Sequence, residues 1–155
     1  MTVEVCTLDV YIDIKPGSCP NPLSGGGILP VAILGTENFD VNDIDPGTVL
    51  LEGVAALRYS YEDVATPFTD VSEPMDCLDC TTKKKDGYRD LTLKFKKETI
   101  IEAVIERYGP TFEFKQCQAL ILTGELCNGT TITGQDVVRI QFKVNGNSGK
   151  GGTNK

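Results

Sequence analysis

Alternating apolar and polar residues indicate several β-strands along the chain. Every second residue from Leu8 to Ile14 is apolar, which predicts one long strand over residues 2–14 with a single buried face. An almost wholly apolar run at 28–34 predicts a second, largely buried strand, and the alternation at 91–95 marks a third. Further strands are predicted at residues 49–51, 56–61, 111–126 and 131–144.

The period changes after residue 96, where apolar side chains recur every three or four residues, as on one face of a helix. Those residues are Ile100, Ile101, Val104, Ile105 and Tyr108. Gly109-Pro110 ends the predicted helix, and Asn128-Gly129 predicts a tight hairpin turn. These elements predict an all-β fold, a Greek-key (Ig-like) β-sandwich of about seven to eight strands with one short capping helix.

The extent of the folded part follows from composition. Residues 1–144 are predicted to form the β-sandwich module, and residues 145–155, rich in Gly, Ser and Asn, a flexible tail or linker. No run approaches the roughly 20 apolar residues that a membrane-spanning helix needs. We therefore expect no membrane insertion.

The chain is acidic, with 22 Asp and Glu against 15 Lys and Arg and a formal net charge of -7. An acidic surface repels phosphate backbones, so nucleic acid is not an expected partner, whereas a divalent cation is. Solubility alone explains the charge equally well. The chain has no histidine, the commonest general base, and no nucleophile motif, so we expect no enzymatic activity.

Six cysteines in a loop-rich chain indicate disulfides, and with them a secreted or cell-surface protein. The candidates are Cys6, Cys19, Cys77, Cys80, Cys117 and Cys127. Cys77 and Cys80 form a C-x-x-C pair that favours disulfides, with each other or with distant cysteines, over a zinc site. Cys117 and Cys127 bracket a predicted strand, which would hold them roughly 30 Å apart and prevent their pairing.

A long acidic loop at 62–87 leads into an Asp-Gly turn with two carboxylates four residues apart, at positions 86 and 90. Such carboxylates can converge on calcium, which takes about six to eight oxygen ligands. The candidate ligands are Asp63, Asp76, Asp79, Asp86 and Asp90. The alternative is a solvated turn without metal, since Asp-Gly turns are common.

Two further functions remain open on the sequence. Tyr59, Tyr61 and Tyr88 could stack on sugar rings, which predicts a carbohydrate-binding module accessory to a polysaccharide-degrading enzyme. The alternative for these tyrosines is cross-strand pairing within a sheet. The long first strand could instead pair with the edge of another copy, as in a subunit of an extracellular filament or surface assembly.

Five segments of the chain resemble a family of secreted bacterial and archaeal modules, the IDIKPGS segments of large extracellular proteins. The segments are Ile-Asp-Ile-Lys-Pro-Gly-Ser at 12–18, Leu-Pro-Val-Ala-Ile-Leu-Gly-Thr at 29–36, Phe-Asp-Val at 39–41, Ile-Asp-Pro at 44–46 and Asp-Gly-Tyr-Arg-Asp-Leu at 86–91. The similarity runs from about residue 10 to residue 140. It implies an extracellular β-sandwich joined to other domains of a larger secreted protein or to copies of itself, with no catalytic activity implied.

The segment at 86–91 is also similar to the Asp-Gly-x-x-Asp-Leu pattern of calcium-binding extracellular repeats. Three lysines at 83–85 depart from that pattern and would weaken a nearby cation site unless they point away. We therefore expect an extracellular, non-catalytic structural or adhesion module, stabilised by calcium and disulfides.

Overall fold

The computed structural model describes residues 7–142 of the chain. This part contains ten strands in two sheets and one α-helix. The first sheet has the order β1-β10-β9-β5-β6, with β3 also paired to β10, and the second has the order β2-β4-β8-β7. The strands are β1 Thr7–Asp9, β2 Ile12–Ile14, β3 Pro22–Leu23, β4 Ile28–Ile33, β5 Ile44–Leu51, β6 Val54–Ala55, β7 Arg58–Glu62, β8 Asp90–Lys96, β9 Cys117–Leu126 and β10 Thr131–Ile140. The all-β sandwich prediction is confirmed, with more strands than the seven to eight expected.

The single strand predicted over residues 2–14 is wrong, because the described part of it divides between the sheets. β1 pairs in parallel with β10, whereas β2 pairs antiparallel with β4. The break falls between two neighbouring residues. Val10 N–H donates to Thr133 O at 2.8 Å in the first sheet, and Tyr11 O accepts from Leu34 N–H at 2.8 Å beside the second. The predicted tail at 145–155 lies outside the described residues.

The hydrophobic core lies between the two sheets and contains apolar side chains from both. Those of Ile14, Leu29 and Val31 are fully buried from the second sheet, as are those of Leu120 and Val138 from the first. The strand predicted at 91–95 is confirmed as part of β8, and its three alternating apolar residues are all buried. The apolar alternation therefore identifies the buried face of this strand.

The predicted helix is confirmed as α1, Lys97–Tyr108, which buries Ile100 and Val104 in the same core. Glu52 holds the end of this helix on the first sheet. Its Oε2 accepts from Tyr108 Oη at 2.8 Å and from Ile121 N–H at 2.7 Å, and its Oε1 lies 3.3 Å from Arg107 Nη1. A buried carboxylate with these partners fixes the helix against β9.

The hairpin predicted at Asn128-Gly129 is also confirmed and joins β9 to β10. Gly129 has φ +90°, a left-handed conformation that glycine adopts without steric cost. The two strands then stay in register from Thr131 opposite Glu125 to Arg139 opposite Cys117. This pair of ten-residue strands is the longest in the fold.

Candidate functional site

A long loop, residues 63–89, connects β7 to β8 and is tied to the sandwich by two disulfides. Cys80 bonds to Cys19, which lies between β2 and β3, with a Cα–Cα distance of 5.7 Å. Cys77 bonds to Cys117, the first residue of β9, with a Cα–Cα distance of 5.3 Å. The predicted disulfides are confirmed for these four cysteines, and the C-x-x-C pair bonds to distant partners and not to itself.

One described cysteine, Cys127, has no disulfide partner among residues 7–142. It is exposed, and the prediction that it does not pair with Cys117 is confirmed. Cys6, the sixth disulfide candidate, lies outside the described residues.

Asp90 anchors the start of the long loop to the end of β4. Its Oδ2 accepts from the backbone N–H groups of Val64 at 2.8 Å and Ala65 at 3.1 Å, and its Oδ1 from Gly35 N–H at 3.0 Å. Burial raises the pKa of Asp90, while these three N–H groups act to lower it. A Cβ atom at Gly35 would collide with the carbonyl oxygen of Arg89, so this close approach requires glycine.

Asp63, the first residue of the long loop, and Asp86, near its last, are two of the predicted calcium ligands and lie together. Asp63 accepts from Asp86 N–H at 3.2 Å and from Gly87 N–H at 2.8 Å. The Oδ1 atom of Asp86 accepts from Tyr88 N–H at 3.0 Å. The structure thus brings Asp63 to the Asp-Gly turn, while both oxygens of Asp90 bind other backbone segments.

The last two predicted ligands, Asp76 and Asp79, close a tight turn around the disulfide-bonded cysteines. Asp79 Oδ2 accepts from Asp76 N–H at 2.9 Å and from Met75 N–H at 3.0 Å, and these bonds lower its pKa. Within residues 7–142 no three Asp, Glu, His or Cys side chains come together as a metal site. Calcium at the 86–90 turn stays a prediction.

The three tyrosines proposed for sugar stacking do not share one depression, since Tyr59 and Tyr88 line two different ones. Tyr59, which is 53% exposed, lies on the edge strand β7 with Tyr61, and their rings meet at 84° with centroids 6.1 Å apart. The two rings therefore do not form one flat platform. Arg89 lies 6.0 Å from the ring centroid of Tyr61, and Tyr88 lines a depression beside Asn38.

A groove of about 660 Å³ separates the long loop from the second sheet. We call it the lysine groove because Lys84 and Lys85 of the loop and Lys94 of β8 line it, together with the acidic residues Glu62 and Asp63. Its volume lies in the range of about 300–1,000 Å³ that is typical of ligand sites. Sequence reasoning missed this groove, although three consecutive lysines in an acidic chain were a visible signal.

A second, smaller cavity of about 50 Å³ lies beneath the long loop, where β2 and β10 meet. We call it the acidic chamber, since Asp13 of β2, Asp136 of β10 and Asp79 of the loop line it. Burial raises the pKa of Asp13 to about 8 and that of Asp136 to about 7. Sequence reasoning placed Asp13 on the polar face of a strand and did not consider Asp136.

No family model matches the sequence, and no curated protein or solved structure shows significant similarity to it. Within residues 7–142 the structure contains no helix of the length and apolar character needed to cross a bilayer. The function is therefore argued from the geometry of the chain itself.

Proposed function

We propose that the chain is a non-catalytic structural module of an extracellular protein. The observation that carries this proposal is the pair of disulfides, which fix one long loop to a strand of the first sheet and to the segment after β2. Disulfides of this kind form and persist in oxidising compartments. Calcium remains the proposed stabilising ion, because the chain is acidic and offers oxygen ligands.

The segments that resemble secreted modules support a structural role, since they hold the scaffold together. In the first of them, Ile12 and Ile14 enter the core, and Lys15 and Gly17, with φ of +56° and +89°, turn the chain toward the long loop. Gly17 lies so close to Lys84 that a Cβ atom there would be 3.1 Å from its Cε. We also propose the Greek-key, Ig-like classification, because the chain crosses repeatedly between the sheets, after β1, β2, β3, β4, β6 and β8.

The test is the redox state and location of the protein in the cells that make it. We expect an antibody to find it in the medium or on the cell surface, and non-reducing peptide mapping to recover Cys19 linked to Cys80 and Cys77 linked to Cys117. A cytosolic protein with these four thiols free would contradict the proposal.

Limited proteolysis tests the structural role of the loop directly. We expect trypsin to cleave at 83–85 at least about tenfold faster after reduction and alkylation, because cleavage requires local opening that the disulfides restrict. Cleavage at Arg139, inside β10, is the control for global unfolding. Equal cleavage at 83–85 before and after reduction, with Arg139 protected in both, would show that the disulfides do not hold the loop.

Carbohydrate binding is the second candidate function, and the lysine groove is the observation that favours it. Three lysines outnumber the two acidic residues, Glu62 and Asp63, around one concave surface, and this suits a polysaccharide that carries carboxylate groups. None of Tyr59, Tyr61 and Tyr88 lines this groove, so the lysines and not the tyrosines would carry this role.

We expect polygalacturonate to bind and the Lys85→Ala and Lys94→Ala variants each to weaken that binding about tenfold, with a further loss at high salt as the charges are screened. Lys96→Ala, an exposed lysine of the same strand as Lys94, is the matched control. Isothermal titration calorimetry gives the affinities, with neutral dextran as the control polymer. Absence of binding, or an equal loss in Lys96→Ala, would remove this candidate.

A further inference from the structure

Two buried oxygen atoms, one on a residue that lines the acidic chamber and one on a residue beside it, have no hydrogen-bond partner within residues 7–142. Asp13 is only 6% exposed, and its buried Oδ2 atom accepts no hydrogen bond. Asn21 is fully buried, and its Oδ1 atom likewise has no partner. A buried polar atom left unpaired lowers the stability of the fold by about 1–3 kcal/mol. A native structure therefore normally gives such an atom a partner, which can be a donor group, a water molecule or an ion.

Asp136 lines the chamber with Asp13, bonds to Asn21 and has a structural role of its own. Its Oδ2 accepts from Ile14 N–H at 2.8 Å and from Asn21 Nδ2 at 3.4 Å, and its Oδ1 accepts from Val137 N–H at 2.8 Å. The bond to Ile14 satisfies an edge N–H of β2 that has no neighbouring strand in the second sheet. The bond to the edge strand explains why Asp136 is buried. It does not explain why Asp13 and Asn21 have buried oxygens without hydrogen-bond partners.

The charge in the chamber is also uncompensated. Among the described residues that line it there is no lysine or arginine. The pKa of Asp13 is raised first by burial and then by the neighbouring carboxylates of Asp136 and Asp90. Two buried carboxylates without a cationic side chain are neutralised either by protons or by a bound cation.

We propose that the acidic chamber binds one hard divalent cation, of which calcium is the representative, between the carboxylates of Asp13 and Asp136. Two carboxylates match the charge of the ion, and the hydroxyl groups of Thr66, Ser72 and Thr81 in the chamber lining, together with solvent, would supply neutral ligands. Oxygen donors alone favour calcium over zinc or copper. A volume of about 50 Å³ holds an ion together with water.

This site differs from the one predicted at the 86–90 turn, and it deepens the structural role proposed above by locating the ion. At the turn, the carboxylates of Asp63 and Asp86 already accept backbone N–H groups. In the chamber, Asp136 also accepts backbone N–H groups, but Asp13 has a buried oxygen without a partner. The chamber also lies under the disulfide-bonded loop, whose residue Cys80 lines it, so a bound ion would join β2, β10 and the loop.

The test compares the thermal stability of the disulfide-intact protein in EDTA and in calcium chloride. We expect calcium at about one hundred times its Kd to raise the Tm by roughly 5 °C. Asp13→Asn is expected to fold, because burial already favours a neutral side chain there, and to lose the calcium response. Asp86→Asn, at the alternative site, is expected to keep it.

Terbium provides a second readout, since Tyr11 lines the chamber and can sensitise its luminescence. We expect sensitised emission from the wild type and from Asp86→Asn, and none from Asp13→Asn. A Tm that is equal in EDTA and calcium would overturn the proposal, as would a response that is lost in Asp86→Asn and kept in Asp13→Asn. If calcium does not change the Tm of the wild type and Asp13→Asn raises it, then protons and not a bound ion neutralise the carboxylates of the chamber. None of these outcomes alters the disulfide mapping, which tests the structural proposal separately.

Discussion

Replacing both Cys77 and Cys117 by serine is expected to lower the free energy of unfolding by about 4 kcal/mol. The two residues are 40 apart in sequence, so the disulfide removes substantial chain entropy from the unfolded state. The pair Cys19 and Cys80, 61 apart, is expected to contribute a similar amount. Because a domain typically has only about 5–15 kcal/mol of stability, loss of both disulfides should leave little of it. Urea unfolding monitored by circular dichroism measures these changes.

Cys127→Ser is the matched control for the disulfide variants. Cys127 is exposed and has no disulfide within the described residues, so its replacement should change the free energy of unfolding by less than about 0.5 kcal/mol. If the Cys77 and Cys117 double variant is as stable as Cys127→Ser, the disulfide does not stabilise the fold.

Asp90→Ala is expected to be the most destabilising substitution outside the cysteines, by about 4 kcal/mol. The change leaves the buried N–H groups of Gly35, Val64 and Ala65 without their acceptor. Asp90→Asn keeps one acceptor oxygen, so an intermediate loss is expected. Chemical denaturation gives the energies, and hydrogen exchange should show faster exchange at these three amides.

Asp70→Asn is the control for Asp90, since Asp70 lies in the same long loop and is exposed. We expect it to have the stability of the wild type within about 0.5 kcal/mol. An Asp90→Ala variant that stays within 1 kcal/mol of this control, with the amide of Gly35 still protected, would show that the anchor is not needed.

Local patterns predicted the elements whose formation depends on neighbours in sequence. The helix after residue 96 and the hairpin at Asn128-Gly129 are set by apolar spacing and by a residue that tolerates positive φ, and both occur as expected. The break between Val10 and Tyr11 was not predictable, because the apolar alternation keeps its phase across it. Alternation reports which face of a strand is buried, but not which sheet the strand joins.

The site was harder to predict than the fold, because the sequence does not show which partner a carboxylate binds. Asp90 was a calcium candidate on spacing, yet its two oxygens accept three backbone N–H groups from distant segments. Asp13 occupies a polar position of an alternating strand, and segments distant in sequence, among them the long loop and β10, bury it. The cysteine pairing likewise depends on where the long loop runs, which the sequence alone does not fix.

The parallel pairing of β1 with β10 determines how the module would respond to a pulling force. Thr7 lies opposite Thr131 at the beginning of β10, and the described chain leaves that strand at Ile140, about 30 Å farther along it. Tension applied to the two ends would run along these strands and load their hydrogen bonds together, in shear. Shear of this kind resists more force than opening a sheet one bond at a time. A force applied across residues 7–142 would therefore be carried by these strands, while the two disulfides hold the long loop in place.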